Sequence, residues 1–478
     1  MSPFLTRSLL AVSATAGLLA CDSTDRPAVT ETSALAAHRD TPTLTSQPAQ
    51  AHLAAGIRGT LTPVLSVGDT LPDGAPWAPI PDGLGAYADW RKLVLFVNHE
   101  LNSGGVKDAS GASRYQYARV SRLELDRRTL AVRDASYVVN GSEQYLRLCS
   151  ATFVGREVGF PSGYFLTGEE QTGGVHDGIQ LAIGTDGTIH ELPWMGRFAH
   201  ENATAVPYRG KVAVFGTDDT SGKSELYLYV AENEADFLQG RGKLYVFASS
   251  AVPHAGNLAA GQQIDGHFVE VPNPASLSST QLQTTVTALG AFPFVRLEDS
   301  DYDHRFERSR PALYFVDTGA ESVKCGAVAC DPYGSIYRLD LDRRDPAGPA
   351  RLTLLARSSG AQNGWSSPDN IAAGERSLMV QEDPANTTFA GQRAPQVWQF
   401  GYTHRGGIDA GRVVVELENS SCNDAAGTCW ESSGIINAEA WLGEGAWLFD
   451  VQAHTLPVPN ANLVNEGGQL LLLRVRGS

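Results

Sequence analysis

The sequence predicts an all-β fold, a six-bladed β-propeller with loop insertions, set behind a signal peptide and a flexible tether. Three observations predict it. Short β-branched and aromatic runs alternate with Gly, Asp and Asn turns, while no helix-length amphipathic pattern stands out. Six of those runs end alike, on carboxylates, histidine or amides. Each also belongs to the same three-part order, at an average spacing of about 70 residues against the ~40–50 usual for one blade, so several blades carry insertions. A pair of β-sandwiches is the alternative fold.

The elements follow in chain order. Residues 1–20, MSPFLTRSLLAVSATAGLLA, hold one early cation (Arg7) and then an apolar, small-residue stretch that ends before Cys21. That is the pattern of a cleaved export signal. A cysteine directly after Leu18-Leu19-Ala20 resembles the lipobox of bacterial lipoproteins, in which that cysteine is acylated. A transmembrane anchor is the other reading, but the run is short for a bilayer. The expected address is therefore the cell envelope, with Cys21 as the lipid site. Residues 21–55 are polar and rich in Pro, Thr and Ala, which reads as a tether. The propeller is expected over 56–478.

Six entries open the repeats: PDGLGAYA (81–88), CSATFVG (149–155), HENATAVP (200–207), LEDSDYD (297–303), PDNIAAG (368–374) and GIINAEAWLG (434–443). The runs that follow are KLVLFVNHE (92–100), GYFLTGEE (163–170), KVAVFGTDD (211–219), ALYFVDTG (312–319), RSLMVQEDP (376–384) and AWLFDVQAH (446–454). A third run completes each, from RVSRLELD to GQLLLLRV. The 260s–280s look like the largest insertion.

Charge narrows the function. The chain carries 37 basic and 53 acidic residues, a net charge of −16. That excludes a basic footprint for nucleic acid and suits a site that holds several cations. Cysteines sort unevenly. Cys325 with Cys330, and Cys422 with Cys429, are close pairs expected to close small loop disulfides outside the cytoplasm. A metal site shared by the two pairs is the alternative. Cys149 is left over, either a small buried apolar side chain or a metal ligand.

In a propeller the innermost strands line a channel, and the residues that open them face one mouth. Those openings supply Asp82, Cys149, His200 with Glu201, Glu298 with Asp299, and Asp369 with Asn370. Carboxylates cannot converge unpaired without a large electrostatic cost, and cations compensate it. Carboxylate and amide oxygens suit Ca²⁺; a thiolate among them suits a softer ion such as iron or zinc. Two other signals fail on spacing. GTDDTSGKS (216–224) has one residue too many for a phosphate loop. Asp299, Asp301 and Asp303 begin like an EF-hand but lack its glycine and final glutamate, and read as a solvated acidic loop.

With PDGLG, FVNHE, LCSATF, FLTGEE, GRFAHENA, FGTDD, the Glu298 segment, SPDNIA and GIINAEAWLGEGAWLFDVQAH in this order, the chain resembles the PhoX-type alkaline phosphatase family from about residue 60 onward. The resemblance implies a propeller holding Ca²⁺ and Fe³⁺ that hydrolyses phosphomonoesters outside the cytoplasm. It implies metal-binding roles for Cys149, Glu169, Glu170, Glu201, Asp218, Asp219, Glu298, Asp369 and Asn370. Cys149, Glu201 and Glu298 are expected nearest the transition metal. His200 and Arg197 are the catalytic candidates, Arg197 as a phosphate fork or else as an ordinary ion pair. His99 and His454 are proton-transfer or structural groups. Gly168 stands where the better-known members have Cys. The expected substrate is a small phosphorylated molecule, the only membrane contact is the lipid, and the chain is expected to work as a monomer. The alternatives are a phytase-, lactonase- or esterase-like propeller enzyme, or a non-catalytic calcium-binding propeller.

Overall fold

In the sequence each repeat holds apolar residues at both odd and even positions, so its strands must bury both faces. In the computed structural model they do so as antiparallel meanders stacked face to face. The structure describes residues 45–305, 311–320, 331–360, 363–384, 393–403, 406–419 and 429–476. Six leading strands, Pro81–Asp89, Leu148–Val154, His200–Ala205, Leu297–Tyr302, Pro368–Ala373 and Glu431–Asn437, each pair with the strand that follows. Those second strands are Lys92–His99, Tyr164–Glu169, Val212–Asp218, Ala312–Asp317, Ser377–Glu382 and Ala446–Ala453.

The first two meanders are four-stranded sheets. The third and fourth merge into one nine-stranded sheet through the strand Gln263–Glu270, which pairs with Gly242–Ala248 on one side and Ala350–Arg357 on the other. The last two meanders recruit the N-terminal part of the chain. Ala51–Leu53 adds to the fifth beside Arg412–Leu417, and Gly59–Ser66 adds to the sixth beside Gly467–Val475. Each leading strand packs against the next in chain order, and Glu431–Asn437 returns to Pro81–Asp89. The result is an all-β, propeller-like arrangement.

Alternation along the strands fills the spaces between sheets. Leu93, Leu95 and Val97 point towards the sixth meander, against Leu448, Leu470 and Leu472. Val94 and Phe96 point the other way, against Phe165 and Leu181. At about 25 cal/mol per Å² of apolar surface removed from water, these layers supply the main favourable term of folding.

Three expectations change. The tether does not run to residue 55: Gln50 and Ala51 are buried and the chain is already a strand at Ala51–Leu53. The large insertion is not loop alone. It holds Gln263–Glu270 and a helix, Ser279–Ala288, started by a capping box of Ser278 and Gln281. Asp299 and Asp301 are not in a solvated loop; they lie on a leading strand, with Asp299 buried. Cys21, Cys325, Cys330 and Cys422 lie outside the described residues, and with them the expected lipid site and the first cysteine pair; of the second pair only Cys429 is described, and it is buried. Among the described residues no helix is long and apolar enough to cross a membrane.

Candidate functional site

Just inside the start of five leading strands the register slips. His200 pairs with Asp218 and Ala203 with Gly216, so Glu201 and Asn202 together face one residue. The same slip occurs at Asp82–Gly83, Cys149–Ser150, Glu298–Asp299 and Asp369–Asn370. A bulge of this kind re-aims side chains away from the regular pleat. Here it turns the second residue of each leading strand, Asp82, Cys149, Glu201, Glu298 and Asp369, towards a shared centre.

Three groups of ligand-capable atoms result, each with all its atoms within 4.8 Å of one another: Asp82, Glu100 and Cys149; Cys149, Glu170 and Glu201; and Glu201, Glu298 and Asp369. The groups adjoin, sharing Cys149 and then Glu201. All these side chains are buried or nearly so. Asp82 Oδ1, Glu201 Oε2 and Asp369 Oδ2 are buried without a hydrogen-bond partner.

Two arginines border the cluster. Arg147 bonds Glu100 and Glu170, the latter at 2.9 Å. Arg296 grips Asp219 through both oxygens, at 2.5 and 3.0 Å, and lies 3.5 Å from Glu298. Neutral groups bind the remainder. Gln452 donates to Asp82 (2.9 Å) and Glu100 (3.2 Å), Ser150 donates to Glu201 (2.6 Å), and Asn370 donates to Ser150 (2.7 Å).

The electrostatics follow from crowding in a buried site. Burial pushes the Glu201 carboxyl up to about 8, helped by Asp219. Burial, then neighbouring carboxylates, holds Asp82 and Asp369 well above the usual range. Glu170 and Glu298 are also held high by burial and other acids, against the pull of Arg147 and Arg296. Burial also raises the Cys149 thiol, with Asp82 next; its Sγ donates to Asp82 at 3.3 Å. Two arginines do not balance this many acids. The orphaned oxygens and the mixed oxygen and sulfur donors fit bound cations.

Of the residues singled out from sequence, the structure brings Cys149, Glu170, Glu201, Glu298 and Asp369 into these groups. Asp219 reaches the edge through Arg296, and Asn370 supports from beside Ser150. Glu169 and Asp218 do not join. Both oxygens of Glu169 accept backbone N–H groups, from Leu146, Gly178 and Ile179. Asp218 accepts the Thr220 N–H at 2.9 Å. The reason is strand parity: in Glu169–Glu170 and Asp218–Asp219 the first acid faces the loops and only the second faces the centre.

The two catalytic candidates also lie outside these groups. His200 opens its strand one residue before the bulge and turns away. It lies 3.6 Å from the Phe198 ring, faces the Gly196 carbonyl at 3.2 Å, and is held neutral by burial with its pKa near 3. Arg197 reaches the Ala275 carbonyl in the insertion instead of the cluster. The cluster arginines are Arg147 and Arg296, which sequence reasoning missed together with Glu100 and Gln452. A signal existed: each arginine stands directly before a leading strand.

His99 is structural, bonded to the Pro79 carbonyl and Ser121. His454 is bonded to Glu466 at 2.7 Å and lies 3.7 Å from Glu431. The far ends of the leading strands line a separate cavity of about 990 Å³, among Tyr87, Phe153, Asp301, Ile371, Ile436 and Trp441.

A family model described as alkaline phosphatase PhoX matches residues 186–434, more than half of the chain. No curated protein matches. Among solved structures, a GH43_1 enzyme from Xanthomonas citri aligns at 11% identity and a TM-score of 0.34, covering 83% of this chain and 87% of that one. A Trypanosoma rangeli sialidase aligns at 9% and 0.35, covering 89% and 60%. Likeness this weak carries no argument about function.

Proposed function

The chain belongs to the PhoX alkaline phosphatase family, and from that premise we propose that it is a metal-dependent phosphomonoesterase working at the Asp82–Asp369 cluster. The observation that carries the proposal is the run of three adjoining ligand groups with three orphaned carboxylate oxygens. We read the six meanders as six blades of one propeller. The all-carboxylate group, Glu201, Glu298 and Asp369, suits Ca²⁺. The two groups that share Cys149 suit a softer ion, Fe³⁺ in this reading. Such cations, when bound, supply charge that stabilises phosphoryl transfer and lower the pKa of a bound water.

The chain's own residues do the rest. Arg147 and Arg296 take over the part expected of Arg197, because a guanidinium fork matches phosphoryl oxygens. Gln452, Ser150 and Asn370 fix the carboxylates so that little reorganisation is needed during reaction. The bulges hold Asp82, Cys149, Glu201, Glu298 and Asp369 on strands instead of loops, which keeps their spacing rigid. We also propose export and anchoring through Cys21, on the sequence pattern alone, with a monomer acting on a small phosphate ester.

The test is hydrolysis of p-nitrophenyl phosphate by purified protein between pH 7 and 10, with elemental analysis of the same sample. Turnover that a chelator abolishes and calcium restores, with calcium and iron both present, supports the reading. Calcium without turnover would favour a binding propeller. Turnover of lactones or carboxyl esters but not phosphates would move the chain to another hydrolytic activity.

A further inference from the structure

The first residue of every leading strand faces a buried polar residue at the end of the second strand. The pairs are Pro81 with His99, Leu148 with Glu169, His200 with Asp218, Leu297 with Asp317, Pro368 with Glu382, and Glu431 with Gln452. In four of them the polar side chain bonds the backbone two residues before the leading strand. His99 bonds the Pro79 carbonyl at 3.1 Å; Glu169 accepts from Leu146 at 2.9 Å, Asp317 from Val295 at 2.9 Å, and Glu382 from Ser366 at 2.9 Å.

The three carboxylates do a second thing. With the remaining bonding capacity each accepts from the chain beyond its own strand. Glu169 accepts from Gly178 (3.0 Å) and Ile179 (3.3 Å), Asp317 from Gly319 (3.0 Å), and Glu382 from Gln396 (2.9 Å). Each therefore staples the loop that enters a leading strand to the loop that leaves the second strand. Between the stapled points one more backbone bond forms: Glu170 N–H to the Arg147 carbonyl, Thr318 to Arg296, Asp383 to Ser367. Arg147, Glu170 and Arg296 thus sit on short segments fixed from within, and those side chains border the cluster. Asp317 also accepts directly from the Arg296 N–H at 3.0 Å.

We propose that Glu169 and Asp317 are positioning residues: Glu169 for Arg147 and Glu170, and Asp317 for Arg296. Neither touches the centre. Each works by satisfying three backbone N–H groups with one carboxylate, which a neutral amide of the same shape cannot do, because its NH₂ would face a donor. The inference rests on the phosphatase reading for its kinetic arm only.

The experiment uses the whole protein carrying Glu169→Gln or Asp317→Asn. Asp303→Asn serves as control, a buried carboxylate held by Arg305 and Arg338 away from the cluster. In both variants the amides of the stapled loops exchange at least about tenfold faster, and Ca²⁺ titrated into chelator-treated protein binds about tenfold more weakly. KM for p-nitrophenyl phosphate rises about tenfold while kcat changes less than about threefold. The control loses comparable stability and keeps both Ca²⁺ affinity and KM.

Unchanged Ca²⁺ affinity with faster exchange would overturn the proposal, leaving the carboxylates as fold supports. So would equal effects in the control. A wild-type protein without phosphatase turnover would sink the functional reading and leave the exchange and Ca²⁺ measurements to decide this one. If one variant does not fold, the other carries the test alone.

Discussion

At their opening ends the leading strands carry Asp82, Cys149, Glu201, Glu298 and Asp369 on bulges; at their far ends the same strands run in regular register beside a cavity of about 990 Å³. The opening end is buried, crowded with acids and bordered by two arginines. At the far end polar atoms are largely satisfied within the fold. Asp301 accepts from the Ala373 and Tyr302 N–H groups and faces His304, and Arg376 is paired with Glu444 at 2.6 Å. Between the two ends lies a hydrogen-bonded layer, Thr204 to Ser300 at 2.7 Å and Thr152 to Asn202 at 3.2 Å. Position along one strand therefore separates a centre with unmet electrostatic demand from a cup whose demands are met.

The largest expected effect comes from the shared ligands. Glu201→Gln, or Cys149→Ala, removes a group common to two of the three ligand sets. Each should lower kcat/KM for an aryl phosphate by at least about 100-fold, read together with metal content. A Cys149→Ala enzyme that keeps full activity would remove the thiol from the proposal.

Next is cation removal. With cations bound at about 100 times their Kd, the folded state gains on the order of 3 kcal/mol, so chelation should lower the melting temperature by several degrees. An unchanged melting temperature would mean that the opening end is not a cation site.

The pH dependence of the chelated protein sharpens the point. Glu201 is raised to about 8 and Asp299 to about 7, both by burial first. Groups with a raised folded pKa keep the folded state more protonated than the unfolded one. Their contribution is fully present below pH ~4 and is lost as pH rises through about 7 to 8. Denaturant titrations should therefore give a chelated protein that weakens from pH 5 to 8, with cations suppressing the trend.

The smallest effect is expected at the far end. Trp441→Ala and Glu375→Gln should leave kcat/KM within about twofold, since both line the far-end cavity and neither touches the opening end. A tenfold loss would mean that substrate reaches the centre through the cavity and would break the comparison.

Much of this was legible in the sequence. Five of the six expected entries coincide with leading strands to within a residue at their start; the sixth begins at Glu431, three residues before the expected Gly434. The ring of Asp82, Cys149, Glu201, Glu298 and Asp369 was readable as the residues that open those strands. Glu169 and Asp218 were not separable from Glu170 and Asp219, because adjacent acids at a strand end look alike until the pairing register assigns a face to each. Arg147 and Arg296 were missed because their one signal, a place directly before a leading strand, marks an arginine only once the strand starts and their facing loops are known.

The sequence by itself determined the strands, their order and the acidic character of one end, because apolar alternation and turn residues act over a few positions. Tertiary structure decided which acids converge, which arginines meet them and which carboxylates instead staple the loops. Those outcomes depend on register, bulges and packing between meanders far apart in the chain, and a one-residue shift sends a side chain to the opposite face.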